Sequence, residues 1–350
     1  MTSFLEESSH RRLNPLTGDW VLVSPHRALR PWRGQVDRLP APAALAYDPA
    51  CYLCPGNERA NGEHNPRYAH TFAFDNDFPA LRADAPDDGI DRDGLLVARG
   101  ESGICRVVCF SPRHDLALAR MDVTDVARVV ELWREQFTEL AAIESVRSVQ
   151  IFENRGEMMG ASNPHPHGQI WASAHLPNEL GKETLSLERF AEAHGTCLLC
   201  DYVGLEESLS ERVVFANESF LVVVPFWAIW PFEAAIVPRR HVGGIDGLVP
   251  AELTAFADAL QALTVRYENL FESPFPYSMG IHQRPTDGAP HDEWHLHAHF
   301  LPPLLRSATV RKFMVGFELF GSPQRDITPE DAADRLRAVA GHHYLDAIDD

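Results

Sequence analysis

Asn163-Pro-His165-Pro-His167-Gly-Gln169 closes a series of signals in the first half of the chain, and His295-Leu-His297-Ala-His299 closes the same series in the second. The first series begins at Cys51-Tyr-Leu-Cys54 and passes through Phe74-Asp-Asn76-Asp-Phe78. It then reaches the apolar Arg106-Val-Val-Cys-Phe110, which leads into Ser111-Pro-Arg-His114. The second begins at Cys197-Leu-Leu-Cys200 and passes through Phe215-Ala-Asn217-Glu-Ser-Phe220. Ala234-Ala-Ile-Val237 follows and leads into Pro238-Arg-Arg-His241. Several signals repeated in one order mark a duplicated unit, with its join near 180–194.

Between the signals, residues 123–143 carry Val126, Val129, Val130, Trp133, Phe137 and Leu140 at helical spacing, with Asp122 or Thr124 available as a cap. Residues 250–271 repeat the stripe with Leu253, Phe256, Leu260, Leu263 and Tyr267. Both stripes read as core-facing. Short β-rich runs at 148–153, 169–174, 213–215 and 220–224 surround these helices. The pattern predicts an α+β fold of two halves, 1–180 and 195–350, each an antiparallel sheet with one long helix. The Pro/Ala-rich 39–49 and Asp-rich 84–93 read as exposed loops.

The chain has 350 residues, of which 31 are Lys or Arg and 50 Asp or Glu, a net charge of -19. A balance this acidic repels phosphate backbones over most of the surface and argues against nucleic-acid binding, while leaving room for a local basic pocket that takes one phosphorylated metabolite. The first 14 residues lack the apolar stretch of a secretory signal. The longest apolar run, 221–232, is too short to span a membrane and is broken by Pro225 and Pro231. A soluble cytoplasmic protein is expected. In that compartment the two C-x-x-C pairs among the six cysteines point to metal or redox chemistry before a disulfide framework.

Cys51 and Cys54 are spaced so that one tight turn aims both sulfurs at a tetrahedral centre. His114 and His165 occupy the next fixed points of the repeat and complete a Cys2His2 zinc set. Cys105 and Cys109 share an apolar run and read as core residues. If 163–169 runs as a strand, His165 and His167 share a face about 7 Å apart, at roughly 3.3 Å rise per residue. One then holds a metal while the other faces substrate. Pro164 and Pro166 place the segment at a sheet edge or beside a cleft. Gly168 leaves room for close approach, and Gln169 returns a neutral hydrogen-bonding group to the histidine face. A neutral imidazole is a good nucleophile toward phosphorus near pH 7, which predicts activity lost on acidification.

The segment 163–169 resembles the active strand of the histidine-triad superfamily, in the variant ending in Gln that marks the galactose-1-phosphate uridylyltransferase family. The resemblance covers nearly the whole chain. It includes Asn14-Pro-Leu-Thr-Gly-Asp-Trp20, Ser24-Pro-His-Arg-Ala-Leu-Arg-Pro-Trp32, Phe152-Glu-Asn154, Ser278-Met-Gly280, His297-Ala-His-Phe300 and the stretch 302–316. It implies two histidine-triad-like halves working by double displacement in galactose metabolism. His167 would take a uridylyl group from UDP-glucose, release glucose 1-phosphate, and pass the group to galactose 1-phosphate. Gln169 would hydrogen-bond a phosphoryl oxygen.

By the same resemblance, Arg27 and Arg30 meet phosphate oxygens, Asn76 and Asp77 recognise uridine, and Asn154 and Ser162 contact the nucleotide phosphates. Lys312, Phe313, Val315, Phe317, Glu318 and Gln324 fall on the hexose-phosphate side, with Phe317 where relatives often carry Tyr. A second metal, iron or zinc, would be held by Glu183, His282, His297 and His299. Cys197, Cys200 and His295 are extra potential ligands, and a second-half site of Cys197, Cys200, His241 and one late histidine is the alternative. The resemblance also implies a homodimer whose sites borrow residues from the neighbouring copy. The rival readings are a diadenosine-polyphosphate phosphorylase or another nucleotidyl enzyme of the superfamily, and a metal-stabilised nucleotide sensor without chemistry.

Overall fold

Val126, Val129, Val130, Trp133, Phe137 and Leu140 all lie buried on one side of a helix that runs Val123–Ala141, with Asp122 at its N-cap position. The second stripe forms Pro250–Phe271, where Pro250 starts the helix and Glu252 accepts the Val249 backbone N–H at 2.9 Å. These two helices pack against each other and against one face of a large sheet, and together they form the main core. The computed structural model describes residues 3–29, 45–303 and 314–346.

In chain order the elements begin with α1 (Ser3–Glu7), β1 (His10–Leu13), β2 (Trp20–Val23), β3 (Phe72–Asp75) and the hairpin β4 (Gly89–Arg92) and β5 (Leu96–Arg99). Next come β6 (Gly103–Cys109), α2 (Val123–Ala141), β7 (Ser148–Arg155), β8 (His167–Ser173), α3 (Asn178–His194) and α4 (Leu198–Leu209). The second half continues with β9 (Val213–Ala216), β10 (Phe220–Val223), β11 (Ala234–Pro238), α5 (Pro250–Phe271), β12 (Tyr277–His282) and β13 (His297–Leu301). It ends in α6 (Phe317–Phe320), β14 (Gln324–Arg325) and α7 (Pro329–Ala338). The order β6, α2, β7, β8 recurs as β11, α5, β12, β13, which is the repeat read from the sequence. The Asp-rich stretch 84–93, expected as loop, contains β4, whose four residues are all exposed.

The two antiparallel half-sheets do not stand apart. They fuse into one nine-stranded sheet of order β3-β6-β8-β7-β12-β13-β11-β10-β9, joined where β7 pairs with β12 from Tyr277 opposite Arg155 to Ile281 opposite Ile151. Each of these strands would otherwise present an edge of unpaired N–H and C=O groups. A smaller sheet, β1-β2-β14, lies beside it. On the face opposite α2 and α5, helices α3 and α4 cover the second half through Leu180, Leu187, Leu198, Leu199 and Val203. The corresponding face of β8 remains more open: Gly168, Ile170 and Ala172 are buried, while His167, Gln169 and Trp171 are half-buried.

Of the two places that Pro164 and Pro166 suggest, a sheet edge or the side of a cleft, the edge does not hold, because β8 is an interior strand between β6 and β7, whereas its first residues do border a pocket. Both prolines precede its first residue, so neither removes a ladder donor. His165 is therefore off the strand and does not share the His167 face in the manner expected.

A buried ion cluster ties the termini of the chain to its middle. Arg12, 1% exposed, donates to both Glu330 oxygens at 2.9 and 3.0 Å and lies over the Phe226 ring. Arg212 donates to Glu330 at 2.8 Å and to Glu206 at 2.8 Å. Burial opposes ionisation of Glu330, but the two guanidinium groups hold its carboxyl below the usual range. A depressed carboxyl stabilises the fold above its unfolded pKa and loses that contribution as pH falls through the folded value. Glu330→Gln leaves the buried Arg12 guanidinium without a carboxylate, while Arg212 keeps Glu206, and is expected to destabilise the protein by about 3 kcal/mol at neutral pH. Urea unfolding should show that difference shrinking once the pH drops below about 4.3, the ordinary Glu value.

Candidate active site and metal centres

His167 opens β8, and its Nδ1 lies 2.7 Å from the carbonyl oxygen of His165. A carbonyl can only accept, so Nδ1 carries the proton and Nε2 the lone pair. Burial lowers the His167 pKa, only partly offset by the hydrogen bond to His165, so the ring stays neutral. Gln169, two residues on, faces the same way. The Trp171 indole N–H, a donor with no acceptor role, binds Gln169 Oε1 at 3.1 Å, which leaves the Gln169 amide N–H groups free to donate. Phe152 and Asn154 project from the same face of neighbouring β7, and Asn154 Oδ1 accepts from Ser278 Oγ at 2.7 Å. Together with Gly160, Ala161 and Ser162 these side chains line a small pocket of about 40 Å³ at His167.

Gly168 explains how the strand fits. A Cβ at this position would stand 2.8 Å from the Phe152 carbonyl oxygen and 3.0 Å from Phe110 Cζ.

Cys51, Cys54, His114 and His165 converge with all ligand atoms within 4.8 Å of one another, and all four residues are buried. Cys54 Sγ stands 3.7 Å from His114 Nδ1 and 3.6 Å from His165 Nδ1. His165 Nε2 donates to the Ser111 carbonyl at 2.9 Å, which turns its Nδ1 lone pair toward the sulfurs. The Tyr68 hydroxyl donates to the Leu53 carbonyl at 2.6 Å and lies 3.1 Å from the same ring nitrogen. Burial pushes the Cys54 thiol up to about 11, so a thiolate here requires a cation to sustain it. Two sulfurs and two imidazoles oriented in this way suit a closed tetrahedral centre.

Glu183 of α3, His282 of β12, and His297 and His299 of β13 form a second group within the same limit. Both Glu183 oxygens are 2.9 Å from His282 Nδ1, and they face His297 Nε2 at 3.6 Å and His299 Nε2 at 3.8 Å. His297 Nδ1 donates to the His295 carbonyl at 2.8 Å, and its buried Nε2 makes no hydrogen bond. Burial alone would raise the Glu183 carboxyl, but the facing imidazoles hold it well below its usual range. A hydrogen-bond-free lone pair beside a buried carboxylate and two further imidazoles fits a divalent metal. Cys197 and Cys200 meet His295 in a separate cluster, so the two readings of the second half pick out different places.

The remaining residues are more scattered. Asn76 caps its own turn, accepting the Phe78 N–H at 2.9 Å. Asp77 is half-buried, with its Oδ1 out of solvent and 3.8 Å from Arg59 Nε. Arg27 is exposed on the short turn Pro25–Leu29. Val315 and Phe317 are exposed, whereas Glu318 and Gln324 belong to the region of the small sheet, with Glu318 bound to Arg325 at 2.9 Å. These four residues do not line the pocket at His167. Arg30, Lys312 and Phe313 lie outside the described residues.

Residues 2–177 match the sequence model described as galactose-1-phosphate uridyl transferase, N-terminal domain, and residues 183–348 match that of the C-terminal domain. The chain belongs to the galactose-1-phosphate uridylyltransferase family. It is 49% identical over 346 residues to the galactose-1-phosphate uridylyltransferase of Haemophilus influenzae, covering 98% of this chain and 99% of that one. To the Rattus norvegicus uridylyltransferase it is 49% identical over 341 residues, covering 97% and 89%. A solved uridylyltransferase structure superposes with a TM-score of 0.75 at 28% identity, over 94% of this chain and 97% of its own. An ADP-glucose phosphorylase from Arabidopsis thaliana superposes with a TM-score of 0.73 at 24% identity, over 95% and 100%, a likeness of fold alone.

Sequence reasoning did not find Trp171, Tyr68 or the carbonyls of His165, Ser111 and His295. Trp171 follows Gln169 at the strand period and was legible on that ground, whereas the carbonyl contacts are not encoded in residue type. Gly168→Ala is expected to cost about 1–3 kcal/mol by overpacking and to displace His167. Chemical denaturation together with turnover should record both losses, and unchanged values in the two assays would contradict the packing argument.

Proposed function

We propose that this transferase moves a uridylyl group from UDP-glucose to galactose 1-phosphate by double displacement at His167. The observation that carries the reading is the fixed tautomer of His167, whose Nδ1 proton is committed to the His165 carbonyl while its Nε2 lone pair stays uncommitted. In the first step Nε2 attacks the α-phosphorus of UDP-glucose, and the bond to the bridging oxygen breaks. That oxygen and its electron pair leave with glucose 1-phosphate. In the second step a phosphate oxygen of galactose 1-phosphate attacks the same phosphorus, the P–N bond breaks, and the imidazole returns to its neutral form with UDP-galactose released. The His165 carbonyl supports the positive charge that the ring carries between the steps.

A phosphate monoester is a competent leaving group without protonation, so a neutral donor at 169 suffices. The Trp171 contact presents the Gln169 amide N–H groups for a phosphoryl oxygen. Asn154 and Ser162 line the same pocket, and their place on the nucleotide phosphates rests on that neighbourhood. Arg27 and Arg30 for phosphate, and Asn76 and Asp77 for uridine, rest on the family resemblance. So do Lys312, Phe313, Val315, Phe317, Glu318 and Gln324 for the hexose phosphate.

Zinc in the Cys51, Cys54, His114 and His165 group would hold the His165 segment, and with it the carbonyl that orients His167. Iron or zinc in the Glu183, His282, His297 and His299 group would brace α3 against β12 and β13. The halves are taken as 1–180 and 195–350. A homodimer is supported by the exposed apolar Val315, Phe317, Leu319 and Phe320 beside the sugar-side residues. A cytoplasmic setting is supported by free thiols at all six cysteines, and no described helix is long and apolar enough to cross a membrane.

Intact-protein mass spectrometry after mixing with UDP-glucose should show a uridylyl mass gain that galactose 1-phosphate discharges. His167→Gly should show no adduct and lose turnover by at least about 10⁴-fold. An adduct retained in that variant would move the nucleophile elsewhere, and an adduct from a different nucleotide sugar alone would reassign the donor. Cys54→Ser is expected to lose the first-half metal and lower the melting temperature, as metal analysis beside calorimetry would record. Full metal content in that variant would contradict the zinc assignment.

A further inference from the structure

Cys197, Cys200 and His295 take no part in either centre described above. Cys197 sits at the N-cap position of α4 and Cys200 in its first turn. Both sulfurs stand 3.5 Å from His295 Nδ1, and the three ligand atoms lie within 4.8 Å of one another. His295 Nε2 donates to the Pro238 carbonyl at 2.9 Å, so the nitrogen between the two sulfurs is the one with the lone pair.

We propose that Cys197, Cys200 and His295, with His241 as fourth ligand, form a third metal site that takes a thiophilic divalent cation of the zinc class. The two cysteines and the strand-entry histidine of the first-half centre repeat here, and His241 stands beside them as the candidate fourth group. His165 donates Nε2 to Ser111 O and offers Nδ1 to Cys54, and His295 does the same toward Pro238 O and its own two cysteines. His114 stands three residues after Ser111, and His241 three after Pro238. The His241 ring stacks on His295 with centroids 5.3 Å apart, and its Nε2 donates to the Trp294 carbonyl at 3.0 Å, which leaves Nδ1 as the acceptor. In both halves the ligand histidine's carbonyl accepts from the next strand histidine: the His165 carbonyl from His167 Nδ1 at 2.7 Å, and the His295 carbonyl from His297 Nδ1 at 2.8 Å.

An open groove of about 550 Å³ borders Cys197 and His241 and carries Glu188, Glu192, Asp292 and Glu293. Four carboxylates at its rim attract cations toward the sulfurs. Two sulfurs and two imidazoles favour zinc over hard cations such as magnesium or calcium.

The test reads metal rather than turnover, so its outcome is independent of the uridylyl-transfer reading. Wild-type protein purified without chelator is compared with Cys197→Ser/Cys200→Ser by elemental analysis, and the variant should contain one metal equivalent fewer per chain. Anomalous diffraction at the zinc edge from wild-type crystals should place a peak between Cys197, Cys200 and His295, and this decides the matter should the variant fail to fold. Equal metal content in a folded variant, a Cys197–Cys200 disulfide, or no peak there while the other centres show theirs would overturn the proposal.

Discussion

A neutral imidazole that donates one nitrogen to a backbone carbonyl has no choice about the other: it must present a lone pair. His165, His167, His295 and His297 are all held this way, by Ser111, His165, Pro238 and His295 respectively. The carbonyls come from the chain at the ends of β6 and β11 and from the segments entering β8 and β13. Tautomer choice is thus set by where the backbone lies at the ends of the strands.

The halves and their long helices were legible because apolar periodicity and repeated punctuation are local signals. Val126 through Leu140 could hardly be anything but a core-facing stripe. The Cys51, Cys54, His114 and His165 group was legible too, since the repeat itself marked its members. Fusion into one sheet was not, because β7 and β12 carry no residue type that names a partner 124 residues away, the separation of Asn154 and Ser278. The interior place of β8 was not legible, because Pro164 and Pro166 suggest an edge or a cleft and their effect ends one residue before the ladder begins. The Arg12, Glu330, Arg212 and Glu206 cluster escaped notice for the plain reason that charged residues distant in sequence read as surface.

The acidic balance of the chain has a local counterpart in these sites. Glu183 sits among three imidazoles with its carboxyl held well below its usual range, and His282 is raised in turn, so the pair already behaves as a charge held in protein rather than in water. Burying a carboxylate is costly unless positive or Lewis-acidic partners face it. Helix α3 therefore does more than link the halves, because it carries that carboxylate to strands of the second half.

His167 and His297 occupy matching positions on matching strands and share one tautomer, yet their neighbours differ. One faces a small polar pocket, while the other faces Glu183, His282 and His299. The two motifs differ in the side chains around the imidazole, while the carbonyl contact that sets its tautomer is the same in both. A fold built this way separates the choice of tautomer, made by the backbone, from the choice of chemistry, made by the side chains around the ring.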